Sequence, residues 1–371
     1  MRFLEVIGGW INRYFSHEEA IYLVVLLIAS FLILITLGGV LAPVLTGLVL
    51  AFLLQGIVVR LERWRIPNGP AVYLTFVLFL GALVALMLFV FPLIWRQLSS
   101  LVNALPEVVS QLQTLMRRLP EWLPDLIDDA QVDSWLAMLS GELGGLGRVV
   151  LEGVLAQVPS VLGLTVYLVL VPFSVFFFLR DRDQIIAWVA SQLPRERPLL
   201  DQVGGELNVQ IANYVRGKAV EILIVGSITF VVFTILGLNY AALLGVIVGL
   251  SVLVPFIGAA VATLPVALVG VLQWGWSLEL VYVLGAYAVI QGLDGNVLLP
   301  LLLGEAVDLH PIAIIVAVLV FGGLWGFWGV FFAIPLATLF KAVSNAWPRH
   351  QLDRLVEPAA VSAEVAAEAA P

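Results

Sequence analysis

Long apolar runs constrain this chain more than any other feature. A helix that spans the hydrocarbon core of a bilayer needs about 20 apolar residues. Runs suited to spanning cover 20–37, 40–58, 71–95, 154–179, 219–237, 240–272, 278–302 and 309–340. The 371 residues are 61% hydrophobic and only 12% charged, more apolar surface than one soluble core buries. The sequence predicts an all-α membrane protein with about eight transmembrane helices, surrounded by a lipid bilayer.

The segment between the third and fourth runs has a different composition. Residues 96–152 are amphipathic, interrupted by prolines, and carry twice as many acidic as basic residues. We therefore expect a small helical domain outside the membrane. The predicted regions are transmembrane helices one to three (1–95), this extracytoplasmic domain (96–152), helix four (153–183), a C-terminal transport core (184–345) and a disordered cytoplasmic tail (346–371).

The distribution of Lys and Arg predicts the orientation. Of the 18 basic residues, all but the four in 96–152 lie near the N-terminus, in 60–65, in 180–218 or near the C-terminus. Basic loops remain in the cytoplasm. The pattern predicts a multi-pass protein of the bacterial inner (cell) membrane, with both termini cytoplasmic and 96–152 outside.

Two of the runs are interrupted by helix-breaking residues. Run 240–272 contains "VPFIG", with Pro255 and Gly258, and run 309–340 contains "FGGLWGFWGV". Proline removes a backbone donor, and glycine lets the chain bend. We expect both to be interrupted or re-entrant helices whose freed backbone groups line a substrate or ion path. The alternative is two kinked spanning helices that use glycine for close packing.

A polar stripe runs along the seventh run. Tyr287, Gln291 and Asp294 follow at i, i+4 and i+7, on one helical face, and Asn296 lies next to them. An acid within a membrane segment is costly and marks a functional hypothesis. We expect Asp294 to exchange H⁺ or Na⁺. The alternative is a structural acid bonded to a neighbouring helix.

A second polar group precedes the fifth run. Lys218 and Glu221 are spaced to form an i, i+3 pair at the cytoplasmic mouth of that helix, and Tyr214 and Arg216 could meet a polar or anionic solute there. The alternative is that these side chains anchor the helix at the membrane surface.

Catalytic and metal-binding patterns are not evident in the sequence. The chain has no cysteine, and its three histidines are far apart. Ser251 and His310 are the only candidates near the membrane interior for the Ser–His pair of a serine protease. The sequence has neither the GxSxG motif of serine hydrolases nor the HExxH motif of metalloproteases. We expect no enzyme activity, no catalytic residue, no metal, no cofactor and no nucleic-acid partner.

The C-terminal half resembles the autoinducer-2 exporter family, the PerM-like permeases. The resemblance rests on "FFFLRDRD" (176–183), "NYVRGK" (213–218), "LGLNYAALLGVIVGLSVLVPFIGAAVATLP" (236–265), "QGLDGNVLLPLLLGEAVDLHP" (291–311) and "GGLWGFWGVFFAIPLA" (322–337). The family often has Glu where this chain has Asp294. The resemblance implies a multi-helix inner-membrane transporter that forms homo-oligomers, and activities linked to autoinducer-2 export or to Na⁺(Li⁺)/H⁺ antiport.

The sequence and the family resemblance leave three candidate functions. The first is export of a small polar solute such as autoinducer-2, coupled to the proton gradient. The second is exchange of Na⁺ or Li⁺ for H⁺. The third is a membrane scaffold without transport activity that uses 96–152 as its docking surface.

Overall fold

The computed structural model describes residues 18–116, 128, 131, 132, 134, 161–195, 197–303 and 309–368, and all regular structure in them is helical. The helices are α1 (Glu18–Arg63), α2 (Asn68–Ala85), α3 (Phe91–Met116), α4 (Val161–Arg180), α5 (Arg182–Ser191), α6 (Pro198–Ile235), α7 (Ala241–Ser251), α8 (Ile257–Trp274), α9 (Leu278–Leu293), α10 (Leu299–Leu303) and α11 (Pro311–Glu368). One π-helical turn, Leu86–Val90, joins α2 to α3, and another, Asp294–Leu298, joins α9 to α10.

Seven helical segments in the described residues are long and apolar enough to cross a membrane. They are α1, the α2–α3 segment, α4, α6, α8, the α9–α10 segment and α11. The sequence predicts about eight such helices, and the described residues hold seven because runs 20–37 and 40–58 form the single helix α1. In lipid, ending a helix leaves backbone groups without partners at several kcal/mol each, whereas a glycine within a helix costs only about 1 kcal/mol.

Gly38 has a packing role in α1. Gly38 is buried, and a methyl group added there would overlap the indole ring of Trp325 in α11. The neighbouring Gly39 is exposed, with open space around it. Phe31 of α1 also packs edge-on against Phe321 of α11, with ring centroids 5.9 Å apart. Gly38 therefore brings α1 close to α11.

The run 240–272 is interrupted between α7 and α8. Residues 252–256, the first break, form a non-helical turn in which Phe256 has φ 61°. A methyl group on Gly258 would overlap the carbonyl oxygen of Ser251. The absence of a side chain at Gly258 therefore lets the start of α8 press against the end of α7.

The run 309–340 has a corresponding interruption. Gly326 has φ 59° and ψ −135°, which is not helical, and it divides α11 into two parts. A methyl group on Gly329 would overlap the carbonyl oxygen of Phe321. This second break, at Gly326, thus shares with the first a glycine that lies against the carbonyl of the preceding helix.

Helix α6 lies between the two breaks. On one side, Gly226 packs against Gly245 and Gly249 of α7, so closely that the backbones touch. Further along α6, Tyr214 belongs to an apolar cluster with Leu253 of the first break and Phe331 beyond the second. The two interrupted segments therefore meet beside α6.

Several predictions lie outside the described residues. They include the segment 1–17 and more than half of the predicted extracytoplasmic domain, where α3 is described to Met116. The backbone of 346–368 continues α11 as helix. Disorder of the tail, like the five-region division, stays a prediction.

Candidate functional site

A fully buried ion pair lies at the centre of α6. The ammonium nitrogen Nζ of Lys218 is 2.9 Å from Oε1 of Glu221, and each side chain is 1% exposed. The i, i+3 pairing expected from the sequence is therefore formed. Its burial shows that neither side chain anchors α6 at a solvated surface. Taking two charges out of water costs several kcal/mol per ion, so both need close partners.

Lys218 also joins α6 to the first break. Its Nζ donates a second hydrogen bond, 2.8 Å long, to the carbonyl oxygen of Val252. Val252 directly follows the last residue of α7, where a helix leaves carbonyl groups without intrahelical partners. The side chain that neutralises Glu221 therefore also satisfies a backbone carbonyl that the interruption sets free.

Asp294 belongs to the same electrostatic cluster. It begins the π-helical turn after α9, and its side chain is partly buried. Asp294 interacts electrostatically with both Lys218 and Glu221. Within the described part of the chain, Oδ1 of Asp294 and Oε2 of Glu221 are buried without a hydrogen-bond partner. We refer to Lys218, Glu221 and Asp294 as the charged cluster.

The rest of the polar stripe supports the break from its other end. Tyr287 is buried and donates a 2.6 Å hydrogen bond from its hydroxyl to the carbonyl oxygen of Ala259, in the first turn of α8. Gln291 lies one turn further along the stripe, partly buried, and its Nε2 has no hydrogen-bond partner among the described residues. Tyr287 thus fixes the start of α8, as Lys218 fixes the end of α7.

The other predicted site residues have separate positions. Asn296 is exposed and donates to the carbonyl of Gly292 on its own helix, away from the cluster. Arg216 lies against Gly56 of α1. Tyr214 is 2% exposed, interacts electrostatically with Glu221 and packs edge-on against Phe331. The structure therefore places Tyr214 beside Glu221, whereas Asn296 bonds to its own helix and Arg216 contacts α1.

Pro255 and Gly258 lie at the first break itself. Pro255 is partly buried within the turn, whereas Gly258 is buried against Ser251. The carbonyl of Val252 was not among the predicted site groups. Its signal was the coincidence of a lysine in an apolar segment with a break that leaves carbonyls unpaired.

The charged cluster contains more acidic than basic groups. The cluster holds two carboxylates and one ammonium group, and only Glu221 forms an ion pair with that group, which leaves Asp294 without one among the described residues. An unpaired charge is expensive in a membrane unless a proton or a small cation neutralises it. The arrangement is therefore chemically suited to hold a proton or a small cation.

Ser251 and His310, the candidate pair for serine-protease chemistry, each form a local hydrogen bond to the helix backbone. The hydroxyl of Ser251 donates to the carbonyl of Val248, and Nδ1 of His310 accepts from the backbone N–H of Ile312 at the start of α11. Among the described residues, no group of three or more His, Asp or Glu side chains has the arrangement of a metal site.

Comparison with known proteins identifies relatives over nearly the whole chain. The sequence profile of the AI-2E family of transporters matches residues 21–349. The permease-named protein PerM of Escherichia coli (strain K12) is 44% identical over 94% of this chain and 99% of its own length. YueF of Bacillus subtilis (strain 168), named as a transport protein, is 28% identical over 77% of this chain and 78% of its own. TqsA of Escherichia coli (strain K12), named as an AI-2 transport protein, is 22% identical over 76% and 79%.

Proposed function

Because the chain belongs to the AI-2E family of membrane transporters, we propose that it exports a small polar solute such as autoinducer-2, driven by the proton gradient through the charged cluster. The solute is suggested by the name of TqsA, and that likeness is distant. PerM, which is twice as similar, is named only as a permease. The proposal therefore rests on the cluster rather than on the relative's cargo.

The observation that carries the proposal is the excess carboxylate beside a helix break. Glu221 pairs with the ammonium group of Lys218, Asp294 interacts with that group without forming an ion pair, and each acid has a buried oxygen without a partner among the described residues. Proton uptake neutralises the cluster, and proton release restores its charge. A transporter needs two such states to couple a gradient to movement of a solute. The interrupted segments, which we propose to be re-entrant, supply freed backbone groups for a polar solute.

The second candidate is Na⁺(Li⁺)/H⁺ antiport. Carboxylate oxygens are the ligands that hard cations prefer, and the free oxygens of Glu221 and Asp294 could serve this role. The same cluster would then bind either H⁺ or Na⁺, and no organic solute would be needed. The third candidate function, a membrane scaffold, gives no functional role to the charged cluster.

Uptake into inverted membrane vesicles separates these readings. A proton gradient is imposed, and uptake of labelled autoinducer-2 is compared with uptake of ²²Na⁺. Solute uptake that collapses with a protonophore supports the export proposal. Na⁺ uptake without solute uptake replaces it with the antiport proposal. Vesicles that move neither substrate, with the protein present and folded, would favour the scaffold.

Asp294→Asn tests the coupling role directly. The change keeps the size of the side chain and removes its titratable group, so gradient-driven flux should fall at least about tenfold and lose its pH dependence. The matched control is Glu279→Gln, an exposed acid at the start of the same helix, which should leave flux and its pH profile unchanged. A wild-type profile in Asp294→Asn would make Asp294 a structural acid.

We further propose that the protein forms homo-oligomers in the bacterial inner membrane, with the cluster repeated in each subunit.

A further inference from the structure

We propose that Lys218 is a positioning residue that links the charge of Glu221 and Asp294 to the conformation of the first break. The break is held closed while both carboxylates are charged, and it loosens when one of them takes up a proton or a cation. The inference rests on the proposed ion-coupled function and names the element that the ion controls.

The first break has a conformation that needs support. Phe256 has φ 61° and ψ −50°, a backbone region in which a residue with a side chain is strained by about 1–3 kcal/mol. Such strain persists only where surrounding contacts hold the segment. The break is therefore suited to a change of conformation once a contact is lost.

Two long-range hydrogen bonds hold the break, one at each end. Lys218 of α6 donates to the carbonyl of Val252, 34 residues later in the chain. Tyr287 of α9 donates to the carbonyl of Ala259, 28 residues earlier. The Tyr287 bond joins a neutral hydroxyl to a neutral carbonyl. The Lys218 bond is charge-assisted, and such bonds are roughly twice as strong as neutral ones.

The interrupted segments contain no charge of their own. Neither 241–274 nor 311–340 has an ionisable side chain. Any response of the first break to an ion must therefore come from a neighbouring element. Lys218 supplies that connection, because a single nitrogen contacts both Glu221 and the carbonyl of Val252.

The ammonium group depends on the carboxylates that face it. Glu221 pairs with it on α6, Tyr214 interacts with Glu221 from one turn before Lys218, and Asp294 of the π-helical turn interacts with it electrostatically. If Glu221 or Asp294 is neutralised, the buried ammonium loses part of its electrostatic stabilisation. Lys218 then moves or gives up its proton, and either change weakens its bond to Val252.

A cysteine reporter measures the state of the break. The chain contains no cysteine, so Ile257→Cys places a single thiol directly after the break, at a position that is 38% exposed. Ser191→Cys, at the exposed end of α5, serves as the control reporter. The ratio of the two labelling rates cancels the effect of pH on thiol reactivity. The experiment uses full-length protein in proteoliposomes, at acidic and neutral pH and with and without Na⁺.

With Lys218 intact, we expect acid or Na⁺ to raise the ratio about tenfold, the change that corresponds to losing one hydrogen bond to a charged group. In Lys218→Met combined with Glu221→Gln, which removes both charges of the buried pair, the ratio should stay constant. Lys218→Arg, which keeps the charge and the donors, should retain part of the response.

Two results would overturn the inference. One is a ratio that ignores acid and Na⁺ with Lys218 intact, and the other is a full ion response in the double variant. Labelling requires neither cargo nor a gradient, so it is independent of the flux assay. Ion-dependent labelling without solute flux would keep the role of Lys218 and reject export. Proton-driven flux with constant labelling would do the reverse.

Discussion

At the scale of single residues, the Lys218–Glu221 pair should contribute to folding in an all-or-none way. Both side chains are 1% exposed, so removing one partner leaves the other charge buried. We expect Lys218→Met or Glu221→Gln alone to lower the free energy of unfolding by about 3–5 kcal/mol. The double variant should lose less, because neither charge of this pair is left without its partner. Denaturant unfolding in detergent micelles, as a double-mutant cycle, measures the coupling.

The matched control is the pair Arg197–Asp201, whose Nε and Oδ1 atoms are 3.0 Å apart. Asp201 is 68% exposed, and surface pairs contribute at most about 1 kcal/mol. Arg197→Met and Asp201→Asn should therefore have small and additive effects. Additive effects of Lys218→Met and Glu221→Gln would contradict the buried-pair account.

Residue spacing predicted local contacts well and distant ones poorly. The i, i+3 spacing of Lys218 and Glu221 indicated their pairing, and the structure forms it. The contact of Lys218 with Val252 joins residues 34 positions apart. It exists only because α7 ends where α6 passes, which depends on tertiary packing and not on helical periodicity.

At the scale of elements, Gly258 and Gly329, which follow the two breaks, should be equally intolerant of a side chain. A methyl group at Gly258 would overlap the carbonyl of Ser251, and one at Gly329 would overlap the carbonyl of Phe321. Backbone atoms cannot rotate aside, so each Ala variant should be destabilised by about 1–3 kcal/mol and should lose flux. Thermal unfolding and vesicle uptake measure the two effects.

Gly285→Ala is the control for this pair. Gly285 lies within α9 with open space around it, and alanine is the better helix former by about 1 kcal/mol. That variant should be as stable as the wild type or slightly more so. Wild-type stability of Gly258→Ala would mean that α7 and α8 separate easily at this point.

The glycines also show where sequence reasoning about elements reaches its limit. Glycine with proline at 254–258 indicated an interruption that the structure contains. Runs 20–37 and 40–58 were predicted as separate helices on either side of Gly38 and Gly39, but α1 continues through both glycines. A glycine that ends a helix and a glycine that admits a neighbouring ring look alike in sequence, and only the position of Trp325 distinguishes them.

At the scale of the whole molecule, burial reflects the membrane environment. Large apolar side chains such as Leu301, Leu264 and Phe340 are more than 70% exposed, whereas the charged pair is enclosed. In a soluble protein this distribution would be reversed. Composition alone therefore predicted the class of the protein, while the meeting of the two breaks beside α6 depended on packing.

The orientation of the molecule in the membrane remains a prediction. Because α1 is continuous, the number of times that α1 crosses the membrane decides on which side its N-terminal end lies. At 1.5 Å per residue, α1 is about 69 Å long, against a hydrocarbon core of about 30 Å. A single crossing would place residue 17 and the basic end of α1 on opposite sides. The charge distribution instead predicts that both are cytoplasmic. Leu23, near the start of α1, packs against Leu200 and Val203. These two residues follow the basic residues of the α5–α6 loop, which the charge distribution also places in the cytoplasm.

Pro43 within α1 supplies a point at which the helix can bend.

Single cysteines at positions 17, 64, 125 and 350 test this arrangement in intact cells with a membrane-impermeant thiol reagent. We expect labelling at 125 alone, and labelling of the other three only after the membrane is permeabilised. The reagent reports which side each position faces, because the cysteine-free chain gives no background. Labelling at 17 in intact cells would show that α1 crosses once and that the N-terminus lies outside despite its basic residues. Labelling at 350 but not at 125 would show that the protein has the opposite orientation in the membrane.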